Sequence, residues 1–250
     1  MSPKLHHKLI ILFLHIIFAN TILAQINTSL PVGAIPGVVD VTSMGAATYT
    51  IPIEVVPGTQ GMQPNLSIVY NSQGDFGLLG MKWDLAGISA ITRCRKTPYF
   101  DDVSYGIKFT GGPYMLDGER LIAPFGTNYL ATEQENFTRI YSYGDYFILY
   151  ADDGTVIEYG NTSDSKQRMA NNNNVLSWYV NKVTDANGNY MTFTYSSGNN
   201  KGEKYIHNIN YTYNDAAGLY GYAKVVFNYK DIIPDTLGIN TRFISGSAMA

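Results

Sequence analysis

Short runs of alternating apolar and polar residues fill most of the chain beyond its first apolar segment. Alternation with a period of two is typical of a β-strand, and few stretches show the 3.6-residue period of an amphipathic helix. The runs end at glycine, asparagine or aspartate, which favour tight turns. The pattern therefore predicts an all-β fold built as a hairpin-rich antiparallel sheet.

Two hairpins are especially clear in this pattern. In residues 178–195, WYVNKVTDANGNYMTFTY, the pair Asn187-Gly188 predicts a type I′ turn because both residues tolerate positive φ angles. In residues 146–160, YFILYADDGTVIEYG, the pair Asp153-Gly154 supplies the turn. Further strands are predicted at residues 47–55, 66–70 and 222–231, and many strands end in tyrosine. The prolines near the first two of these strands place them at sheet edges or strand ends.

The glycine-rich stretch at residues 70–93, YNSQGDFGLLGMKWDLAGISAITR, lacks the spacing of a phosphate-binding loop. Gly74, Gly77 and Gly80 are three apart, whereas a dinucleotide fingerprint requires G-x-G-x-x-G. The nearby Lys82 is followed by Trp83 instead of serine or threonine. We therefore interpret these glycines as sites of sharp turns and close backbone approach, and we expect Trp83 to be a buried core residue.

Residues with catalytic or metal-binding chemistry are sparse. His207 is the one histidine outside the N-terminal segment, and the single cysteine, Cys94, has no histidine nearby in sequence. The acidic turn at residues 185–189 places its glycine fourth instead of sixth for a calcium loop, and Ser196 stands where a carboxylate is needed. We expect no catalytic residue, cofactor or metal site, and we interpret the chain as not being an enzyme.

The charge and the N-terminus bear on location and partners. A net charge of -3 and a pI near 5.8 give no basic excess for nucleic acid. Lys4 and Lys8 precede an apolar run at residues 9–18, with Ala24 at a cleavage position, which predicts a secretory signal peptide at residues 1–24. The run is shorter than the ~20 residues that span a bilayer, so we expect an exported protein, extracellular or on the cell surface, with no stable membrane span after cleavage.

The run at residues 45–93, with a later W-x-x-x-K-V-x-D-x-N-G-N motif, resembles the N-terminal region of the Salmonella virulence plasmid B family. That family shares this region with the B components of insecticidal toxin complexes and with Rhs (YD-repeat) proteins. The matching positions are Tyr49, Pro52, Pro57, Gly58, Pro64, Leu66, Tyr70, Gly77, Gly80, Trp83, Ile91, Arg93, Trp178, Asp185, Asn187, Gly188 and Asn189.

The resemblance implies that residues 25–250 form a β-domain at the front of a longer chain. It implies a non-enzymatic scaffold role, as part of an Rhs-type β-sheet shell that encloses or delivers a toxic polypeptide. The implied partners are downstream Rhs or toxin segments of the same or a partner polypeptide, and toxin-complex subunits. The toxic activity of relatives lies in separate C-terminal domains, so no catalytic residue is carried over. The alternative is a secreted module that binds carbohydrate or a surface through exposed aromatic residues.

Overall fold

The computed structural model describes residues 37–109, 111–134, 136–169, 173–197 and 204–229. The predicted signal peptide at residues 1–24 and the chain end at residues 230–250 lie outside these ranges.

Antiparallel strands dominate the described residues, which confirms the prediction of an all-β, hairpin-rich fold. The elements are β1 (Val38–Val41), β2 (Ala47–Ile53), β3 (Leu66–Asn71), β4 (Phe76–Gly77), β5 (Gly80–Met81), β6 (Trp83–Ala86), β7 (Ala90–Arg93), α1 (Pro98–Asp101), β8 (Tyr114–Leu116), β9 (Glu119–Ile122), β10 (Ala131–Thr132), β11 (Arg139–Ser142), β12 (Phe147–Tyr150), β13 (Val156–Tyr159), β14 (Lys166–Arg168), β15 (Val175–Thr184), β16 (Tyr190–Ser197), β17 (Lys204–Tyr213) and β18 (Ala223–Val226).

The first sheet contains four strands in the order β1-β2-β3-β6, with β4 and β5 as a separate small hairpin. Tyr49 lies opposite Tyr70, and Tyr70 lies opposite Trp83, so three aromatic residues cross the sheet in one row. Pro52 lies beyond the last β1–β2 pair, Val38 with Thr50, so its missing N–H removes no bond to β1. Pro52 thus lies near the end of its strand, as the prolines predicted, but β2 and β3 are interior strands and not edges of the sheet.

Eight strands of the second sheet form a closed ring. They run in the order β10-β9-β8-β7-β15-β13-β12-β11, and a bridge between Leu130 and Ile140 joins the two ends through N–H···O bonds of 2.8 and 2.9 Å. Ile91, Phe147 and Trp178 are almost completely buried, and the Phe147 and Trp178 rings meet at 5.0 Å. The interior of the ring is therefore packed with side chains.

Strand β15 belongs both to the ring and to the part of the sheet that continues beyond it through β16. Its first half pairs with β7 on one edge and with β14 on the other, while its second half pairs with β13 and β16. Beyond β16 the sheet continues through β17 to β18, and we call these last three strands the wing. Leu66 of the first sheet lies in the same buried cluster as Phe193 and Ile209 of the wing. One core therefore serves the first sheet, the ring and the wing.

The β15–β16 hairpin does not have the predicted type I′ turn. Five residues connect the strands, the Asp185 N–H donates to the Asn189 carbonyl, and only Gly188 in this turn has a positive φ angle, of 81°. Asn187 stays in the ordinary φ range because the extra residue lets glycine alone take the left-handed conformation. The prediction of type I′ geometry at Asn187-Gly188 is therefore wrong, although the hairpin itself is confirmed.

A two-residue turn with positive φ at both positions occurs instead between β8 and β9. Asp117 and Gly118 have φ angles of 49° and 90°, as a type I′ turn requires. The Asp-Gly signal is present in the sequence, but β8 has only three residues and shows too little alternation to reveal the hairpin.

Candidate functional site

The residues matched by the sequence motifs do not converge on one cleft. They occupy three places, namely the first sheet with its loops, the end of the ring, and the turn between β15 and β16. Each group performs a packing or hydrogen-bonding role that the structure shows directly.

Trp83 lies on β6, at the edge of the first sheet, and is only half-buried. Its ring contacts that of Tyr70 at 5.2 Å, and it lines an open cleft of about 430 Å³ together with Asp75, Lys82 and Asp84. The expectation that Trp83 is a buried core residue is therefore wrong, because its side chain is only half-buried and faces this open cleft.

The glycines and prolines around the first sheet allow close backbone approach. A Cβ atom on Gly77 would lie 2.4 Å from the Trp83 carbonyl oxygen, which no side chain could tolerate. Gly80 has a φ angle of 115°, at the turn of the β4–β5 hairpin. Pro57, Gly58 and Pro64 lie in the link between β2 and β3, just before the buried Leu66. The interpretation of these glycines as turn and close-approach positions is confirmed.

Arg93 and Ile91 lie on β7, the ring strand that pairs with the first half of β15. The Arg93 guanidinium carbon is 5.2 Å from the Trp178 ring centroid and 5.3 Å from that of Tyr114. Its Nε donates to the Val175 carbonyl at 2.9 Å, while Ile91 is paired with Trp178 and is fully buried. Arg93 thus places a cation over two aromatic faces and also satisfies backbone carbonyl groups.

Trp178 is the principal aromatic residue of the ring. Only 1% of it is exposed, and its ring meets those of Phe147 and Tyr114 edge-on at 5.0 and 5.7 Å. Its indole Nε1–H donates to the Asp145 carbonyl at 2.9 Å. A Cβ atom on Gly160 would lie 2.2 Å from the indole, so glycine is required beside it.

The turn residues of the motif form a polar network that we call the clasp, made of Asp185, Asn189, Asn214 and Gln60. Asn189, 2% exposed, donates from Nδ2 to Asp185 Oδ2 at 2.8 Å and to Gln60 Oε1 at 3.3 Å, and accepts from Asn214 Nδ2 at 2.9 Å. The clasp therefore joins the β15–β16 turn to the turn after β17 and to the link between β2 and β3. Asn187 contributes its carbonyl oxygen, which accepts from Asn214 Nδ2 at 3.1 Å.

One face of the second sheet is continuous over seven strands and carries polar and tyrosine side chains. We call it the outer face, because the core lies on the opposite side. The strand registers place two rows across it, Arg139-Tyr150-Val156-Thr184-Tyr190-Tyr213 and Tyr141-Ile148-Glu158-Lys182-Thr192-Asn210-Lys224. Only the strand registers show that these positions form one surface.

Neither residue considered for nucleophilic chemistry is activated. Burial raises the pKa of the Cys94 thiol, and this outweighs the lowering effect of Arg120, whose Nη1 lies 3.6 Å from the sulfur. A thiol with a raised pKa remains protonated at neutral pH and is a weak nucleophile. His207 is exposed on β17.

Two core tyrosines, Tyr159 and Tyr195, and the half-buried Tyr179 packed against the core make the stability of the fold depend on pH in the alkaline range. Burial raises the pKa of Tyr179 to about 12, and it also raises the pKa values of Tyr195 and Tyr159 above the usual range. The unfolded chain ionises tyrosine near pH 10, so the folded state should lose stability progressively from about pH 10 to 12. Below about pH 10 the folded state loses no stability from these tyrosines, because all three side chains are then neutral in both the folded and the unfolded chain.

Absorbance of tyrosinate, recorded together with circular dichroism, tests this expectation. Exposed tyrosines should titrate first, and the remaining signal should appear together with unfolding. Tyr179→Phe keeps the ring and removes one ionisation, so it should reduce the alkaline loss of stability. Ionisation of every tyrosine near pH 10 with the fold intact would contradict the burial argument.

The fold is shared with toxin-complex chains of known structure. The chain superposes on the TcdB2-TccC3 structure with a TM-score of 0.57 at 16% identity, covering 75% of this chain and 11% of that one. It matches the N-terminal domain of effector protein SpvB from Salmonella typhimurium strain LT2 with a TM-score of 0.55 at 17% identity, covering 72% of each chain. The Photorhabdus luminescens Tc holotoxin pore gives 0.54 at 17% identity, over 77% and 11%. The chain is thus an all-β domain whose fold is also found in structures of toxin-complex proteins.

The sequence itself assigns the family. The model for the Salmonella virulence plasmid 65kDa B protein matches residues 41–111 and 127–234, and this chain belongs to that family. No curated protein matches the sequence significantly. The chain spans about a tenth of the length of the TcdB2-TccC3 chain. Among the described residues, no helix has the length and apolar character that crossing a bilayer requires.

Proposed function

We propose that this chain is a non-enzymatic structural segment of an exported toxin-type protein, and that it forms part of a β-sheet shell that encloses or delivers a toxic polypeptide. Its partners are downstream Rhs or toxin segments of the same or a partner polypeptide, and toxin-complex subunits. The observation that carries the proposal is the outer edge of β18, which has no partner strand among the described residues.

The geometry of β18 suits it to continue a sheet. The Phe227 N–H donates to the His207 carbonyl on β17 at 2.9 Å, so the alternating backbone groups of Lys224 and Val226 face away from β17. An unpaired strand edge is a template for another strand. Val226 and Tyr229 beside this edge are 42% and 46% exposed. The family membership and the shared fold support adding the next strand here.

A substitution at this edge tests the proposal in the native full-length protein. Val226→Pro removes an N–H that faces away from β17, so the β17–β18 pairing should survive while a further strand cannot bond at that position. We expect the variant to lose assembly into the proposed shell, measured as faster proteolysis of the full-length protein than for the unmodified sequence. Ala216→Pro, in the exposed turn before β18, is the matched control because proline suits the second position of a turn.

The size of the native product provides the second measurement. An antibody against residues 37–229 should detect a species far larger than 27.7 kDa in cells or medium. A monomeric product of about this mass, together with unchanged behaviour of Val226→Pro, would refute the shell proposal.

A further inference from the structure

The first sheet ends in an outer strand on each side, β1 and β6. An outer strand exposes a row of backbone N–H and C=O groups, to which a strand of another molecule can bond. β1 is suited to such pairing because its side chains are mostly apolar and exposed, with Val38, Val39 and Val41 exposed by 66%, 74% and 63%. An edge of this kind needs a feature that keeps other strands away.

In β1, the side chain of Asp40 occupies a bonding position of the outer edge. The Thr42 N–H donates to the Ala46 carbonyl, just before β2, at 2.9 Å. Because bonding directions alternate along a strand, the N–H of Val41 points away from β2. That N–H donates instead to Asp40 Oδ1 at 2.7 Å. An incoming strand would need to place a carbonyl oxygen where this carboxylate oxygen lies.

β6 has the same arrangement at the opposite edge of the sheet. The Asn71 N–H donates to the Lys82 carbonyl at 2.9 Å, which determines the groups that face β3. By alternation, the N–H of Leu85 points away from β3, and it donates to Asp84 Oδ1 at 2.8 Å. The same oxygen accepts from the Leu78 N–H at 3.1 Å, so the β4–β5 hairpin is held along this edge.

β18 differs from both of these outer strands. Its sequence, Ala-Lys-Val-Val, contains no carboxylate, and no described side chain accepts from the outward N–H groups of Lys224 and Val226. In the first sheet, each aspartate instead precedes the residue whose outward N–H it accepts from. We propose that Asp40 and Asp84 close the two edges of the first sheet to strand addition.

Two physical effects make such an edge resistant to a further strand. The N–H group already has an acceptor, so an incoming strand would gain no ladder bond there unless the aspartate side chain moved away. The carboxylate would also lie against a carbonyl oxygen of the incoming strand and lose its hydration, which costs free energy. Charged side chains on outer strands are a general means of preventing edge-to-edge association.

This inference goes beyond the proposed function, because it concerns the edges at which the sheet does not grow. The strands involved are β1 and β6, whereas the shell proposal depends on β18. The two proposals can therefore fail separately.

Sedimentation equilibrium of the full 250-residue chain tests the inference, with a second copy of the chain as the partner. We expect Asp40→Ala and Asp84→Ala each to raise the self-association constant about tenfold or more, because each frees an outward N–H for pairing. Asp40→Asn keeps an acceptor oxygen for the same N–H and should leave the constant unchanged. Asp152→Ala removes a carboxylate from an exposed turn and should also leave it unchanged.

A second substitution identifies the edge that associates. Val39→Pro removes another outward N–H of β1, so Asp40→Ala/Val39→Pro should return to the association of the unmodified chain, with its circular dichroism retained. For either strand, an alanine variant that associates no more than the unmodified chain would overturn the inference at that edge. An equal rise in Asp40→Asn or Asp152→Ala would assign the effect to charge alone and overturn the inference. Association that survives Val39→Pro would place the contact away from β1, with the same consequence.

Discussion

Replacing Trp178 by alanine should lower the free energy of unfolding by about 3–5 kcal/mol, the range for truncating a fully buried aromatic side chain. The substitution removes edge-on contacts with Phe147 and Tyr114, and it removes one of the aromatic faces that the Arg93 cation contacts. The Asp145 carbonyl also loses its indole donor. All of these losses occur inside the closed ring, where the surrounding strands cannot easily collapse into the gap.

Trp83→Ala is the matched control, because it removes the same side chain from a half-buried site on an edge strand. We expect a loss of about 1–2 kcal/mol for it, reflecting partial burial against Tyr70. Urea unfolding followed by circular dichroism measures both variants. Equal losses for the two tryptophans would show that the ring does not depend on Trp178 as a central packing residue.

Replacing Asn189 by alanine should cost about 1–3 kcal/mol, although the change removes few atoms. The variant leaves one N–H of the buried Asn214 and Oδ2 of the half-buried Asp185 without their partner, while the exposed Gln60 can turn to water. Burial prevents water from replacing these bonds fully, so the cost comes from unsatisfied polar groups and not from lost packing.

A double-mutant cycle with Asn214→Ala separates the clasp from local effects. If the clasp acts as a unit, the double variant should be more stable than the sum of the two single losses indicates. Asn187→Ala provides the control, since Asn187 contributes its backbone carbonyl and keeps it after the substitution. Additive losses for Asn189 and Asn214 would contradict a connected network.

The sequence predicted those features of the fold that depend on neighbouring residues. Alternation identified the strands and hairpins of residues 146–160 and 178–195, because period-two patterning is set by which face of a strand is buried. The same local reasoning failed at Asn187, where one extra turn residue changes the turn type without changing its composition. It also ranked Trp83 as a core residue, because a glycine-rich context does not show whether another strand will cover the side chain.

Features that depend on distant pairing could not be predicted. Asn189 and Gln60 are 129 positions apart, and the contact between them requires the first sheet to lie beside the β15–β16 turn. The bridge between Leu130 and Ile140 closes the ring through two short segments with weak alternation of their own. The outer face likewise arises from six successive strand registers, each of which would reverse its side chains if shifted by one residue.

The shared position of β15 has a mechanical consequence. Tension applied at the C-terminal end of the wing would separate β18 from β17, and then β17 from β16, one hydrogen-bonded pair after another. The process would meet greater resistance at β15, because that strand is held on both edges by β7, β13, β14 and β16. The wing should therefore yield at low force and the ring at high force, which gives the molecule a fixed order of unravelling when it is pulled from that end.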